Sequence, residues 1–86
     1  MRHRKDANET ELVAIARKLG ATMVWLSEPM DWLCGHRGKW TPVEIKALTG
    51  KFTPNQHQFM DGCKRNGLPF WVWRTELDII RDLEAK

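Results

Sequence analysis

Residues 30–46 read MDWLCGHRGKWTPVEIK and decide the fold of this chain. Apolar and β-branched residues on both sides of a glycine-containing segment predict two strands, Asp31–His36 and Trp40–Ala47. The segment His36–Lys39 is the natural turn between them, because Gly38 can take the positive φ that a tight hairpin needs. The stretch therefore predicts an antiparallel hairpin.

The second strand of this hairpin alternates apolar and charged residues. Val43 and Ile45 are expected to point to one face, and Glu44 and Lys46 to the other. The apolar pair can hold the strand on a core while a carboxylate and an amine emerge together. An exposed salt bridge between Glu44 and Lys46, worth little in energy, is the simpler alternative.

The length of the turn determines which residue lies opposite Asp31. A two-residue loop pairs Asp31 with Glu44 and brings their Cβ atoms to about 4.5–5.5 Å from each other. Two carboxylates that close repel each other unless positive charge lies between them, and a divalent cation usually supplies it. A bulge at Gly38 would instead place Val43 opposite Asp31.

The rest of the chain predicts three helices and two further strands. These are a helix over Asp6–Leu19 with Asn8 as N-cap, a strand over Ala21–Ser27, a loop over Leu48–Phe52, a helix from Thr53-Pro54 to about Arg65, a strand over Phe70–Trp73 and a helix from Thr75 to about Glu84. The order α-β-β-β-α-β-α predicts one α/β domain over residues 1–86, with a small mixed sheet flanked by helices. Two strand orders fit this pattern.

Composition narrows the class of protein. A chain of 86 residues with a formal net charge of +3 fits one domain with a thin core, and it permits but does not demand a polyanionic partner. The five tryptophans suit either that core or a subunit interface. The two cysteines do not make a secreted disulfide framework. The chain shows neither a membrane-spanning run nor a signal peptide, so the cytoplasm is the expected compartment.

Asp31, followed by Glu44-Ile45-Lys46 on the next strand, resembles the core of the PD-(D/E)XK nucleases, which have a restriction-endonuclease-like fold. The closer resemblance is to the small stand-alone VRR-NUC domains of phages, which are similar to archaeal Holliday junction resolvases. The resemblance covers most of the chain: Asp6–Val13, Met30–Gly35, Arg37–Lys46, Thr53–Gln56 and Phe59. Met30 stands where the family usually has proline. Pro42 is also unusual, and it should lie at a strand start or on an edge.

This resemblance implies a metal-dependent endonuclease that hydrolyses phosphodiester bonds. Asp31, Glu44 and the backbone carbonyl of Ile45 would bind Mg²⁺ or Mn²⁺, which are hard ions suited to oxygen ligands. Lys46 would hold or help deprotonate the attacking water and offset charge on the phosphate.

Two further residues take roles by the same resemblance, and each has a structural alternative. Glu11 on the first helix would contact the metal shell or a second ion, but it could also form a capping-box-like pair with Asn8. Gln56 would orient Lys46 or the phosphate, but Thr53-x-x-Gln56 is also a capping box.

The expected partner is branched DNA, above all a four-way junction cut by a homodimer. Phosphate contacts are expected from Arg4, Lys5, Lys39, Lys51 and Lys64. The alternatives are an inactive DNA-binding module, a flap-type nuclease and a small assembly protein that self-associates through its tryptophans. Trp32 or Trp40 could stack on an unpaired base, although core or interface packing is the simpler expectation for both. If the chain is phage-encoded, its compartment would be the host cytoplasm.

Overall fold

The computed structural model describes residues 8–84, and its helices and strands follow the predicted order. They are α1 (Glu9–Lys18), β1 (Thr22–Trp25), β2 (Trp32–His36), β3 (Lys39–Ile45), α2 (Pro54–Asn66), β4 (Trp71–Trp73) and α3 (Glu76–Leu83). The strands form one mixed sheet in the order β1-β2-β3-β4. β1, β2 and β3 are antiparallel neighbours, and β4 runs parallel to β3. The predicted α/β class is confirmed, and the strand order that the sequence left open is settled.

The turn between β2 and β3 is the predicted two-residue hairpin. His36 pairs with Lys39, and Arg37 and Gly38 between them both have positive φ, 55° and 79°. Positive φ at both central residues is the signature of a type I′ turn, whose twist matches that of the flanking strands. The alternative of a bulge at Gly38 is therefore wrong.

One face of the sheet holds the hydrophobic core, which α1 and α3 cover. Trp73, Ile45 and Val43 are fully buried on this face. The other members of the core cluster are Leu12, Val13, Ala16, Ala21, Met23, Trp32, Cys34, Ile79 and Leu83. The ring of Trp71 stacks on Trp73 at 5.9 Å between centroids and packs against the same cluster. Both tryptophans of β4 thus pack in the core of this domain.

The other face of the sheet carries the alternate residues of β3. Trp40, Pro42 and Glu44 lie on it, because side chains alternate along a strand and Val43 and Ile45 face the core. Helix α2 lies on this side, where its Phe59 lines a groove with Trp40 and Pro42.

Helix α2 has the ends that the sequence predicts. Thr53 caps it in a capping box with Gln56, Pro54 occupies the first turn, and Gly67 ends it in the left-handed conformation. Within residues 8–84, none of the helices has the length and apolar character needed to span a membrane.

Candidate active site

Asp31 and Glu44 face each other where β2 begins and β3 ends. The pairing of Trp32 with Val43 places Asp31 beside Glu44 one step further along the hairpin. The Asp31 backbone N–H donates to Glu44 Oε1 at 3.1 Å, and both side chains are buried. The Asp31 carbonyl accepts from the N–H groups of Leu26 and Ser27, at 2.7 and 3.2 Å. These bonds fix the backbone of Asp31 on both sides.

The two carboxyl groups share a poorly solvated site, and their pKa values show it. The pKa of Asp31 is raised to about 7, first by burial and then by the negative charges of Glu44 and Glu9. Burial also raises the pKa of Glu44, although the Asp31 N–H and Lys46 oppose the rise. A hydrogen bond joins the two side chains. This hydrogen bond raises the pKa of Asp31 and opposes the rise in the pKa of Glu44, so Asp31 is the donor when the pair shares one proton.

Lys46 supplies the positive charge beside this pair. Its Nζ lies 3.5 Å from Glu44 Oε2, and its side chain is largely buried. The backbone directs it there, because Ile45 points into the core and the next residue must point to the opposite face. The predicted division of β3 into a core face and a charged face is confirmed.

The loop after β3 encloses the Lys46 side chain. Arg74 Nη1 donates to the carbonyls of Ala47, Leu48 and Gly50, at 2.6, 3.2 and 2.9 Å. The ring of Phe52 lies 5.8 Å from the Lys46 ammonium and 5.6 Å from the Arg74 guanidinium. Arg74 therefore holds the loop that brings an aromatic ring against Lys46.

Glu9 is a third carboxylate at the site, and sequence reasoning missed it. Its side chain is 1% exposed, and its Oε2 accepts a 2.6 Å hydrogen bond from Trp32 Nε1. Its Oε1 is buried and accepts no hydrogen bond from any of residues 8–84. Its charge contributes to the raised pKa of Asp31. A buried carboxylate oxygen without a partner is costly, so it needs a reason beyond packing.

Glu11, the residue expected from the first helix, is exposed and does not join this cluster. Helical geometry explains the difference, because residues 9 and 11 lie about 200° apart around a helix of 3.6 residues per turn. Glu9 shares its face with the buried residues Leu12, Val13 and Ala16. Extending that apolar stripe back by one turn would have identified Glu9.

Asn8 and Gln56 both have structural roles. The proposed capping pair of Asn8 and Glu11 is wrong, because the Asn8 side chain makes no cap bond. It donates instead to the carbonyls of Lys46 and Arg74, at 3.3 and 3.1 Å, and so ties α1 to the ends of β3 and β4. Gln56 is buried and closes the capping box, accepting from the Thr53 N–H at 3.0 Å.

The donor set fits a divalent cation held by two carboxylates. Asp31 and Glu44 offer hard oxygen ligands, and the Ile45 carbonyl follows Glu44 along the chain. Across residues 8–84 no cluster of three acidic, histidine or cysteine side chains is arranged to enclose an ion. Mg²⁺ does not require such a cage, since it is commonly bound by one or two carboxylates and completes its shell with water and phosphate oxygens. The unpartnered Glu9 Oε1 could accept from such a water.

The residues expected to contact DNA are spread over the described chain. Lys39 begins β3 at the hairpin turn, Lys51 lies in the loop after Lys46, and Lys64 is on the last turn of α2; all three are exposed. Arg4 and Lys5 lie outside the described residues.

Comparison with protein-family models, with characterised proteins and with solved structures finds no match to this chain.

Proposed function

We propose that this protein is a Mg²⁺- or Mn²⁺-dependent endonuclease that hydrolyses phosphodiester bonds in branched DNA. The observation that supports this most is the buried, opposed pair of Asp31 and Glu44, with the Lys46 ammonium 3.5 Å from Glu44. Burying two carboxylates side by side destabilises a small domain. Ionisable groups with strongly shifted pKa values cluster at functional sites.

Asp31 and Glu44 are the metal ligands in this proposal, with the Ile45 carbonyl beside them. The bound ion would stabilise negative charge developing on the phosphate and lower the pKa of a water molecule. Asp31 has to release its proton before it can act as a ligand, because its pKa is raised to about 7. Ion binding is then coupled to proton release, and affinity rises with pH through this range.

Lys46 and Glu9 have supporting roles next to the two metal ligands in this proposal. In hydrolysis a water oxygen bonds to phosphorus, the bond to the leaving oxygen breaks, and that oxygen takes a proton. Lys46 can hydrogen-bond the attacking water or a phosphate oxygen and offset its negative charge. Glu9, in the role first expected of Glu11, can accept a hydrogen bond from water through Oε1, while Trp32 holds its Oε2.

The proposed assembly is a homodimer, which gives two active sites related by a rotation and suits the two matching strands of a four-way junction. Its support is the apolar surface of β1, an edge strand on which Val24 and Trp25 are exposed. Exposed apolar edges pair readily with another chain. The cysteines, Cys34 and Cys63, are buried free thiols, which suits a reducing compartment such as the cytoplasm.

The test compares cleavage of a four-way junction, a flap, a plain duplex and a single strand with Mg²⁺, with Mn²⁺ and in excess EDTA. Asp31→Asn, Glu44→Gln and Lys46→Ala should each lower the rate by at least about 100-fold. Lys18→Ala, which removes an exposed lysine of α1, is the matched control. Full activity of Lys46→Ala, or undiminished cleavage in EDTA, would exclude this mechanism.

The substrate panel separates the related functions. Equal cutting of duplex and junction would reject shape selectivity, and preferred cutting of the flap would assign a flap nuclease. Tight binding to the junction without cleavage under any metal condition would identify a DNA-binding module that has lost catalysis.

A further inference from the structure

Lys46 and Arg74 are neighbouring cations on one face of the sheet. The parallel strands β3 and β4 pair Ile45 with Trp73, so the residues that follow, Lys46 and Arg74, lie side by side. Ile45 and Trp73 both point into the core, which turns the two cations to the opposite face. Like charges opposite each other on adjacent strands destabilise a sheet. This pair is therefore costly unless each cation has partners that offset its charge.

The partners of Arg74 belong to the loop that follows β3. Residues 47–49 of this loop are exposed, so packing contributes little to its position. Arg74 Nη1 donates to three carbonyls of the loop, at 2.6–3.2 Å, and these belong to Ala47, Leu48 and Gly50. A planar guanidinium can make such bonds and still lie against an aromatic ring, as Arg74 does against Phe52. The side chain that follows β4 thus holds the loop that follows β3.

The loop in turn encloses the Lys46 side chain. A β-carbon at Gly50 would lie 3.4 Å from Lys46 Cδ, so the loop backbone passes along the aliphatic part of the lysine. The Phe52 ring lies 5.8 Å from the ammonium, and the Lys46 side chain is 13% exposed. These contacts leave the ammonium beside Glu44, with Nζ 3.5 Å from Oε2.

We infer that Arg74 is a positioning residue for catalysis, which keeps the Lys46 ammonium beside the carboxylates by holding the loop and the Phe52 ring. The ion pair with Glu44 weakens when Glu44 shares its charge with a bound cation. The Phe52 ring attracts the ammonium through its quadrupole, and this attraction does not depend on the charge of Glu44. The inference rests on the proposed nuclease function for the reaction in which Lys46 takes part.

Single-turnover cleavage of the four-way junction in Mg²⁺ tests this role. Arg74→Lys keeps the charge but loses the planar group, and it should lower the rate about 10- to 100-fold, as loss of supporting groups around metal sites does. Phe52→Leu should lower it about 2- to 30-fold through the lost cation–π contact. Arg81→Ala removes an exposed arginine of α3, on the core side of the sheet, and is the matched control. Its rate should stay unchanged.

Two further arms distinguish positioning from a general loss of stability. Ethylguanidinium at millimolar concentration should restore cleavage by Arg74→Ala, because it supplies the missing donors, and sodium chloride at the same ionic strength should not. Ile79→Val removes a buried methyl group from the core and lowers stability without removing a donor to the loop. Under conditions in which circular dichroism shows all variants folded, it should keep its full rate. An equal loss of rate in Ile79→Val and Arg74→Lys would overturn the inference.

Acetylation of lysines by an amine-reactive ester, mapped by mass spectrometry, measures the enclosure of Lys46 without any substrate. In the unsubstituted protein Lys46 should react more slowly than Lys18, which is exposed on α1. The ratio of the two labelling rates, Lys46 to Lys18, should rise several-fold in Arg74→Ala and fall again when ethylguanidinium is added. The ratio should not change in Arg81→Ala.

The outcomes separate this inference from the proposed function. Metal-dependent cleavage that is equally fast in Arg74→Lys, or a labelling ratio that is unchanged in Arg74→Ala, would overturn the inference and leave the nuclease. A labelling ratio that depends on Arg74, in a protein that cleaves no DNA under any metal condition, would support the positioning contact and reject the nuclease.

Discussion

At the scale of single residues, the proton on Asp31 links the site to the stability of the protein. Asp31 has a pKa of about 7 in the folded protein and 3.8 as its ordinary value. Between these values the folded state holds a proton that the unfolded chain has released. The free energy of unfolding of the metal-free protein therefore falls as the pH rises through this range, by about 1.4 kcal/mol for each unit of the pKa difference.

Thermal unfolding in EDTA from about pH 4.5 to pH 8 measures this effect. The difference in melting temperature between Asp31→Asn and the unsubstituted protein should grow in favour of the variant as the pH rises, because the amide never ionises. Titrating groups far from Asp31 contribute equally to both proteins and cancel in that difference, whereas Glu44 and Glu9 interact with Asp31 and are part of the effect. A difference that stays constant over the range would contradict the assigned protonation of Asp31.

Glu9 and Glu11 form a matched pair of variants on one helix. Glu9→Gln keeps an oxygen acceptor for the Trp32 N–H but removes the charge beside Asp31. It should lower the cleavage rate by about 10- to 100-fold, as loss of supporting groups around metal sites does. Glu11→Gln changes an exposed side chain and should stay within about twofold. Single-turnover cleavage compares them, and a larger loss at Glu11 would assign the role to that residue.

At the scale of secondary structure, the register of the β2–β3 hairpin determines whether Asp31 and Glu44 meet. A shift of one residue would turn the side chains of one strand to the opposite face. The turn at Arg37 and Gly38 sets this register, and Gly38 has a φ of +79°. The turn therefore controls the site from the other end of the hairpin.

Gly38→Ala and Gly38→Asn test this control. A β-carbon at Gly38 would meet nothing within 4 Å, so the effect of substitution comes from the backbone conformation alone. Gly38→Ala should cost about 1–2 kcal/mol of unfolding free energy, and Gly38→Asn should cost less, because asparagine tolerates positive φ. Chemical denaturation measures both. An alanine variant as stable as the asparagine variant would contradict the type I′ turn.

At the scale of the whole molecule, the edge strand β1 leaves apolar side chains on the surface. Val24 is 41% exposed there. If two copies pair through this edge, Val24→Lys should dissociate them, since a charged edge residue opposes strand pairing. Leu77→Lys on α3, where the leucine is 74% exposed, is the control and should leave the mass unchanged. Light scattering after gel filtration measures the mass of each variant in solution. A monomer mass for the unsubstituted protein at micromolar concentration would reject the dimer.

Most of the fold could be predicted from local signals in the sequence. The turn residues, the Thr53-Pro54 start of α2 and the alternation along β3 are short-range features, each governed by backbone geometry within a few residues. Because Val43 and Ile45 had to face a core, the pattern also placed Glu44 and Lys46 on the opposite face. The tight turn then predicted that Glu44 lies opposite Asp31.

The tertiary structure alone decided which distant groups complete the site. The sequence did not reveal that Arg74 holds the loop beside Lys46, or that Asn8 joins the ends of two strands, because these contacts depend on how α1 and β4 pack. Glu9 was missed for a related reason. A glutamate near a helix start is usually solvated. Here Glu9 is buried, because it lies over the end of the sheet and accepts a hydrogen bond from the indole of Trp32. Local sequence determines conformation over a few residues, whereas long-range packing determines burial and charge at a site.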